Sequence, residues 1–161
     1  TREALWTEFD LKQQVWTIPA NRTKTGKKHR IPLSAQALQI LKRAKDFTNG
    51  SRFVFPGAKA GRPLSEATAG KIIRTHDHFQ FRNAPNATQK KGTIRKFVPH
   101  GFRTSFRTWG ADISPASSVV IEQCLAHVTP GVEGVYKRTD LFDKRRTVMN
   151  DWADHCLPKK R

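Results

Sequence analysis

The chain has 161 residues, with thirty Lys and Arg against thirteen Asp and Glu and a formal net charge of +17. That length fits one domain with a sizeable hydrophobic core, and a second full domain is not expected. The charge points to a polyanionic partner, nucleic acid first, while no apolar run approaches the roughly 20 residues that a bilayer span needs.

Other features narrow the setting. The start resembles no signal peptide. Cys124 and Cys156 are too few and too isolated for a disulfide framework or a Cys-based zinc site, and they fit a reducing cytosol. The expected protein is soluble and cytoplasmic. Its first residue is Thr1, already inside a patterned segment, so a piece of a longer protein is expected.

From Leu5 to Leu33 the pattern predicts short strands joined by turns. Val15 to Ile18 are β-prone, Asn21 to His29 form a polar hairpin tip centred on Gly26, and Ile31 to Leu33 return to apolar packing. Ser34 is placed to cap a helix whose apolar face carries Ala37, Leu38, Ile40 and Leu41. Lys42, Arg43 and Lys45 fall toward its end, where cations suit the helix dipole.

Phe53 to Phe55 predicts a short buried segment, followed by a loop from Pro56 to Pro63. Ser65 is placed to cap a second helix reaching about Arg74. His76 to Lys96 is polar, basic and contains Pro85, which predicts a long surface loop of the functional kind. From His100 onward helices dominate: Phe102, Phe106 and Trp109 recur at helical spacing, and Val119–Leu125 and Leu141–Trp152 continue the pattern. Trp6, Trp16, Trp109 and Trp152 are expected in the core. The fold class is α+β, mainly α, with a small antiparallel sheet near the N-terminus.

Tyr136 is the only tyrosine. A packed core residue is the plain reading of a tyrosine, but Lys137 and Arg138 follow it and Gly131 and Gly134 precede it. A basic, glycine-containing segment suits the presentation of a phenol to a phosphate. His100, Gly101, Phe102 and Arg103 form an H-x-x-R pattern that places His100 and Arg103 on one helix face. There an imidazole and a forked guanidinium reach one phosphate, although H-x-x-R alone also describes an ordinary solvated face. His127 lies nine residues before Tyr136. His76 and His78 have no carboxylate or cysteine cluster beside them, so no metal site is expected. Gly26, Lys27 and Lys28 lack the upstream glycine and following hydroxyl of a nucleotide-binding loop; no cofactor is expected either.

Taken together and in order, these motifs resemble the tyrosine recombinases, specifically the phage and genomic-island integrases. The matching text is KTGKKHRIPL from Lys24, HGFR at His100 to Arg103, LAH at Leu125 to His127, and Tyr136 nine residues on. WTEFDL at Trp6 to Leu11, VWTIPA at Val15 to Ala20, FRTW at Phe106 to Trp109 and RR-x-x-M-x-x-W at Arg145 to Trp152 match as well. The resemblance spans nearly the whole chain.

It implies metal-free DNA strand cleavage and religation through a 3′-phosphotyrosine at Tyr136. It implies His100 as proton acceptor or phosphate ligand, Arg103 as stabiliser of the non-bridging oxygens, Lys24 as general acid to the leaving 5′ oxygen, and His127 as hydrogen-bond partner of the phosphate. A free phenol ionises near pH 10, so the attack needs such a cationic field. Double-stranded DNA is the implied partner, in a homo-tetramer, within the bacterial cytoplasm on the nucleoid.

The resemblance also implies a C-terminal catalytic domain over residues 1–161, truncated at its N-terminal edge and without the DNA-clamping core-binding domain. The first catalytic arginine of the pattern falls nine residues before Trp6, ahead of Thr1, and Arg2 is out of register for it. Two alternatives remain at this stage: a type IB topoisomerase-like enzyme with similar chemistry, and a non-catalytic basic DNA-binding module, for which the charge alone suffices.

Overall fold

The computed structural model describes residues 1–75, 99–127 and 139–157. Three short strands come first: β1 (Phe9–Asp10), β2 (Val15–Ile18) and β3 (His29–Pro32). They form an antiparallel sheet in the order β1-β2-β3, with Phe9 opposite Trp16, Trp16 opposite Ile31, and Ile18 opposite His29. The β-prone run at Val15 becomes the central strand, and the polar tip between β2 and β3 turns at Gly26 with φ of +63°, a conformation that a residue without a Cβ adopts freely.

Helix α1 (Ala35–Phe47) starts where Ser34 predicted it. The Ser34 hydroxyl oxygen accepts the Ala37 N–H at 3.2 Å, a cap worth about 1 kcal/mol. Leu41 is buried, with Ala37, Leu38 and Ala44 packed beside it against Ala4, Leu33 and Val54. Phe9 and Trp16 stack at 5.2 Å on the edge of this first core. The buried Phe53–Val54 segment is stitched to the N-terminal residues: the Val54 N–H donates to the Ala4 carbonyl at 2.9 Å and the Trp6 N–H to that of Arg52 at 3.1 Å. Helix α2 (Glu66–Thr75) follows the Pro56–Pro63 loop.

The remaining helices among the described residues are α3 (Gly101–Asp112), α4 (Ser118–Cys124) and α5 (Phe142–Cys156). Phe106, Trp109, Val120, Ile121, Leu125 and Val148 make a second core, flanked by Trp152. The Phe106 and Trp152 rings meet edge-on at 5.5 Å, a favoured aromatic geometry. Gly110 explains how closely α3 and α4 approach, since a Cβ there would lie 2.8 Å from the Ile121 side chain.

Two expected apolar positions point elsewhere. Ile40 is 52% exposed and Phe102 is 55% exposed. On α1 the inward stripe runs through Leu38 and Leu41, leaving Ile40 on the outer flank. The second core begins at Phe106, one turn beyond Phe102. All four tryptophans pack against one core or the other, and both cysteines are free. The His76–Lys96 loop lies outside the described residues.

The two cores are joined by a buried cation. Arg145 on α5 is 2% exposed. Its Nε donates to the Asp140 carbonyl at 2.7 Å, its Nη1 to the Arg30 carbonyl on β3 at 2.6 Å, and its Nη2 lies 3.2 Å from the Asp140 carboxylate. Arg30 in turn grips Asp140 with two parallel bonds of 2.8 Å and lies over the Phe142 ring at 4.3 Å. Arg145→Met keeps the bulk but leaves two carbonyls and part of a carboxylate unpaired. Its expected cost is about 2–4 kcal/mol, read as a lowered urea midpoint at unchanged slope.

Candidate active site

A cleft of about 740 Å³ lies between the β2–β3 hairpin and the start of α3 and end of α4. Lys24, His100, Arg103 and His127 all line it. They come from three separate stretches of chain, and the fold brings four of the five expected site residues to one cavity. Tyr136 lies outside the described residues, as do Gly131, Gly134, His76 and His78. Thr23, Lys27, Lys28 and His29 complete the hairpin wall. The carboxylate on the lining, Asp140, is held by Arg30 and Arg145, so the cleft is strongly cationic. Arg2 does not line it. That side chain pairs with Glu3 and donates weakly to the Leu64 carbonyl, at 3.4 Å, in a separate pocket.

Each side chain has a local reason for its position. The tip carrying Lys24 is closed on itself by the Thr23 hydroxyl, which lies 3.0 Å from the Ala20 carbonyl and 2.8 Å from that of Lys27. His100 sits at the N-cap of α3 and is exposed, and Arg103 follows one turn later. His127 is placed by the way α4 ends. The His127 N–H donates back to the Glu122 carbonyl at 3.0 Å and the Ala126 N–H to that of Gln123 at 3.1 Å, the paired bonds of a Schellman ending. Ala126 supplies the left-handed residue this ending needs, with φ of +56°, where glycine is the usual occupant.

Arg103 and His127 are in direct contact. Arg103 Nη2 donates to the Leu125 carbonyl at 2.7 Å and lies 2.8 Å from His127 Nε2. A guanidinium has no acceptor, so in this contact Nε2 is the accepting nitrogen. Nδ1 in turn lies 2.5 Å from Glu122 Oε2, and Arg107 Nε donates to Glu122 Oε1 at 2.7 Å. The hydrogen bond from His127, followed by Arg107, holds the Glu122 carboxyl below the usual carboxylate range.

On the hairpin wall, burial and then the nearby Arg145 charge lower the pKa of His29, favouring its neutral form. Burial also pushes the Cys124 thiol up to about 11, so it is a packing residue and a poor nucleophile. Glu122, Arg107, Asp140 and Arg145 stood outside the sequence-level site. Arg107 and Arg145 were visible only as parts of matching motifs, and Glu122 and Asp140 carried no local signal. Among the described residues no cluster of three or more His, Cys, Asp or Glu could hold a metal. No helix among them is long and apolar enough to cross a membrane.

A cavity walled by lysine, arginine and histidine, with Arg103 and His127 in contact, is suited to a phosphodiester. The family comparison agrees: residues 1–140 match the phage integrase family model, and the chain belongs to that family. It is 34% identical over 154 residues to the prophage integrase IntA of Escherichia coli K12, covering 94% of this chain and 33% of that protein. The prophage integrase IntZ of the same strain is 32% identical over 149 residues, covering 92% and 33%. The integrase of Enterobacteria phage P4 is 30% identical over 169 residues, covering 96% and 36%. The chain thus spans about a third of the length of these relatives. No solved structure matches it.

The strained ending of α4 yields a direct test. An L-residue in the left-handed region costs roughly 1–2 kcal/mol relative to the right-handed helix, and glycine escapes much of that cost. Ala126→Gly is therefore expected to stabilise the protein by about 1 kcal/mol, measured as a higher urea midpoint, without moving His127 out of contact with Glu122.

Proposed function

We propose that this chain is the catalytic portion of a site-specific DNA recombinase that integrates or excises a phage or genomic island. The observation that carries this reading is the convergence of Lys24, His100, Arg103 and His127 on one cationic cleft. Membership of the phage integrase family supports it. In this reading the domain has the tyrosine-recombinase catalytic fold. A core-binding domain and the first catalytic arginine are supplied by sequence N-terminal to Thr1, and four protomers assemble on two DNA duplexes in the bacterial cytoplasm, on the nucleoid.

The chemistry follows from the residue types. The Tyr136 phenol oxygen attacks the scissile phosphorus as its proton passes to His100. The bond from phosphorus to the 5′ oxygen breaks, and Lys24 protonates that oxygen as it leaves. Arg103 offsets the charge growing on the non-bridging oxygens, the type of preorganised donor whose loss costs roughly 100- to 1000-fold in rate, and His127 hydrogen-bonds the same phosphate. The product is a 3′-phosphotyrosine ester. One phosphodiester replaces another, so religation needs no nucleotide cofactor. His127 and Asp140 flank the stretch that carries Tyr136 and both line the cleft.

The reading is tested with DNA nicked beside the scissile phosphate, so that the cleaved strand escapes and the adduct accumulates. In the full-length protein, the expected result is a covalent band on a denaturing gel for the native sequence and none for Tyr136→Phe, with DNA affinity within about threefold. An adduct from the Phe variant overturns the assignment of Tyr136. No adduct from the native sequence favours a non-catalytic DNA-binding module instead.

Lys24 has its own signature. Replacing the scissile 5′ oxygen by sulfur gives a leaving group that needs little help from a general acid. Lys24→Ala is expected to slow cleavage of ordinary DNA far more than of the sulfur-substituted strand. Equal slowing on both substrates removes Lys24 from the acid role.

A further inference from the structure

Glu8 stands inside the matching WTEFDL text with no role attached to it, yet its side chain is only 6% exposed. A carboxylate taken that far out of water has to be met by donors, and two meet it. Trp16 Nε1 donates to Oε2 at 2.9 Å, and Arg22 Nη1 donates to Oε1 in a short ion pair. Trp16 sits on the central strand, stacked on Phe9 and packed against the first core. Glu8 is therefore fixed on its core side and grips Arg22 on the other.

Arg22 lines the cleft together with Lys24. It ends the 3-10 turn Ala20–Arg22, from which the hairpin tip departs. Its own N–H donates to the Pro19 carbonyl at 3.0 Å, and that of Thr23 to the Ala20 carbonyl at 3.1 Å. Strand pairing ends with Ile18 opposite His29, so residues 19–28 extend beyond the sheet. The Thr23 hydroxyl bonds stay within that tip. Among the described residues, the Arg22–Glu8 pair is the one side-chain hydrogen bond that ties the tip to the rest of the molecule. Lys24 is exposed and follows Arg22 by two positions.

We propose that Glu8 is a positioning residue for Lys24: through Arg22 it holds the hairpin tip where the lysine ammonium reaches the leaving 5′ oxygen. The proposal rests on the general-acid reading of Lys24. Proton transfer needs donor and acceptor atoms roughly 3 Å apart, a tolerance that a tip swaying on two strand ends does not meet. A general acid contributes roughly 100- to 10,000-fold to a rate, and misplacing a catalytic group by about 1 Å costs up to about 100-fold. Loss of the clamp therefore removes part of what Lys24 supplies. Glutamine at position 8 breaks the clamp with little change of shape, because two donors face two carboxylate oxygens and an amide offers a single oxygen.

The test compares Glu8→Gln, Arg22→Gln and Lys24→Ala in the full-length protein. Single-turnover cleavage is read at saturating DNA on two nicked substrates, one ordinary and one with sulfur in place of the scissile 5′ oxygen. A merely structural defect slows both, since the sulfur strand still needs the attack on phosphorus and the cationic cleft. For Glu8→Gln the expected result is ordinary DNA cleaved about 10- to 100-fold more slowly and the sulfur strand within about threefold, with DNA affinity also within about threefold. Adding Glu8→Gln to Lys24→Ala is expected to cost less than about twofold more, because residues acting through one another are not additive.

Equal slowing of both substrates by Glu8→Gln, native-like cleavage of ordinary DNA, or a full additional loss in the double variant overturns the proposal. Should Glu8→Gln fail to fold, Arg22→Gln decides, since it breaks the same pair from the more open side, where the arginine is 24% exposed. It must show the same sulfur-selective defect, and equal slowing or none overturns the proposal. Equal slowing of both substrates by Lys24→Ala overturns the general-acid reading and the role of Glu8 with it. A sulfur rescue for Lys24→Ala without one for Glu8→Gln overturns the role of Glu8 alone.

Discussion

A single buried guanidinium holds the two halves of this molecule in register. Arg145 reaches from the last helix to the carbonyl of Arg30 on the last strand and, through Asp140, to the side chain of Arg30 as well. One core packs under the sheet and α1, the other among α3, α4 and α5. The cleft lies between them, with the lysine-bearing hairpin on one wall and the histidine and arginine elements on the other. Hydrophobic contact alone is tolerant of sliding, whereas a fork of directed hydrogen bonds to fixed carbonyls is not. The alignment of Lys24 with Arg103 and His127 thus depends on polar geometry at a distance from any of them.

The cleft itself shows how excess positive charge is kept useful. Beside the Arg22–Glu8 pair, repulsion among the cations in and around the cleft is offset by two carboxylates: Asp140 takes up Arg30 and Arg145, and Glu122 takes up Arg107 and His127. Both carboxylates serve the scaffold and are drawn below their ordinary pKa range by those partners. As pH falls through that lowered range they take up protons, and the stability they contribute is lost on the acid side. Near neutrality both remain charged and leave Lys24, His100 and Arg103 facing the cavity.

Much of this was legible in the residues alone. The β-prone residue types at Val15 to Ile18 located the central strand, Ser34 located the first helix, and spacing alone set the helices from His100 onward. The box at His100 and Arg103, the LAH at His127 and the hairpin lysine were recognisable because each is local: a few letters at fixed separation. The interior of the site was not legible. Glu122 sits five residues before His127, a spacing that only a left-handed ending of α4 brings together, and Ala126 does not advertise such a turn as glycine would. Asp140 and Arg30 are 110 positions apart. Nothing in either neighbourhood hints at the other, because their pairing is a property of the assembled layers.

The close seam between α3 and α4 has a further meaning. Gly110 sits against Ile121, the residue just before Glu122, so the helix carrying the arginine and the helix carrying the histidine are spaced by the width of a bare backbone. A change that widens this seam moves Arg103 away from His127. Heat is such a disturbance, and so is a bulkier neighbour. The seam is therefore where temperature-sensitive alleles would concentrate: still folded when warm, with the contact between Arg103 and His127 lost until cooling restores it.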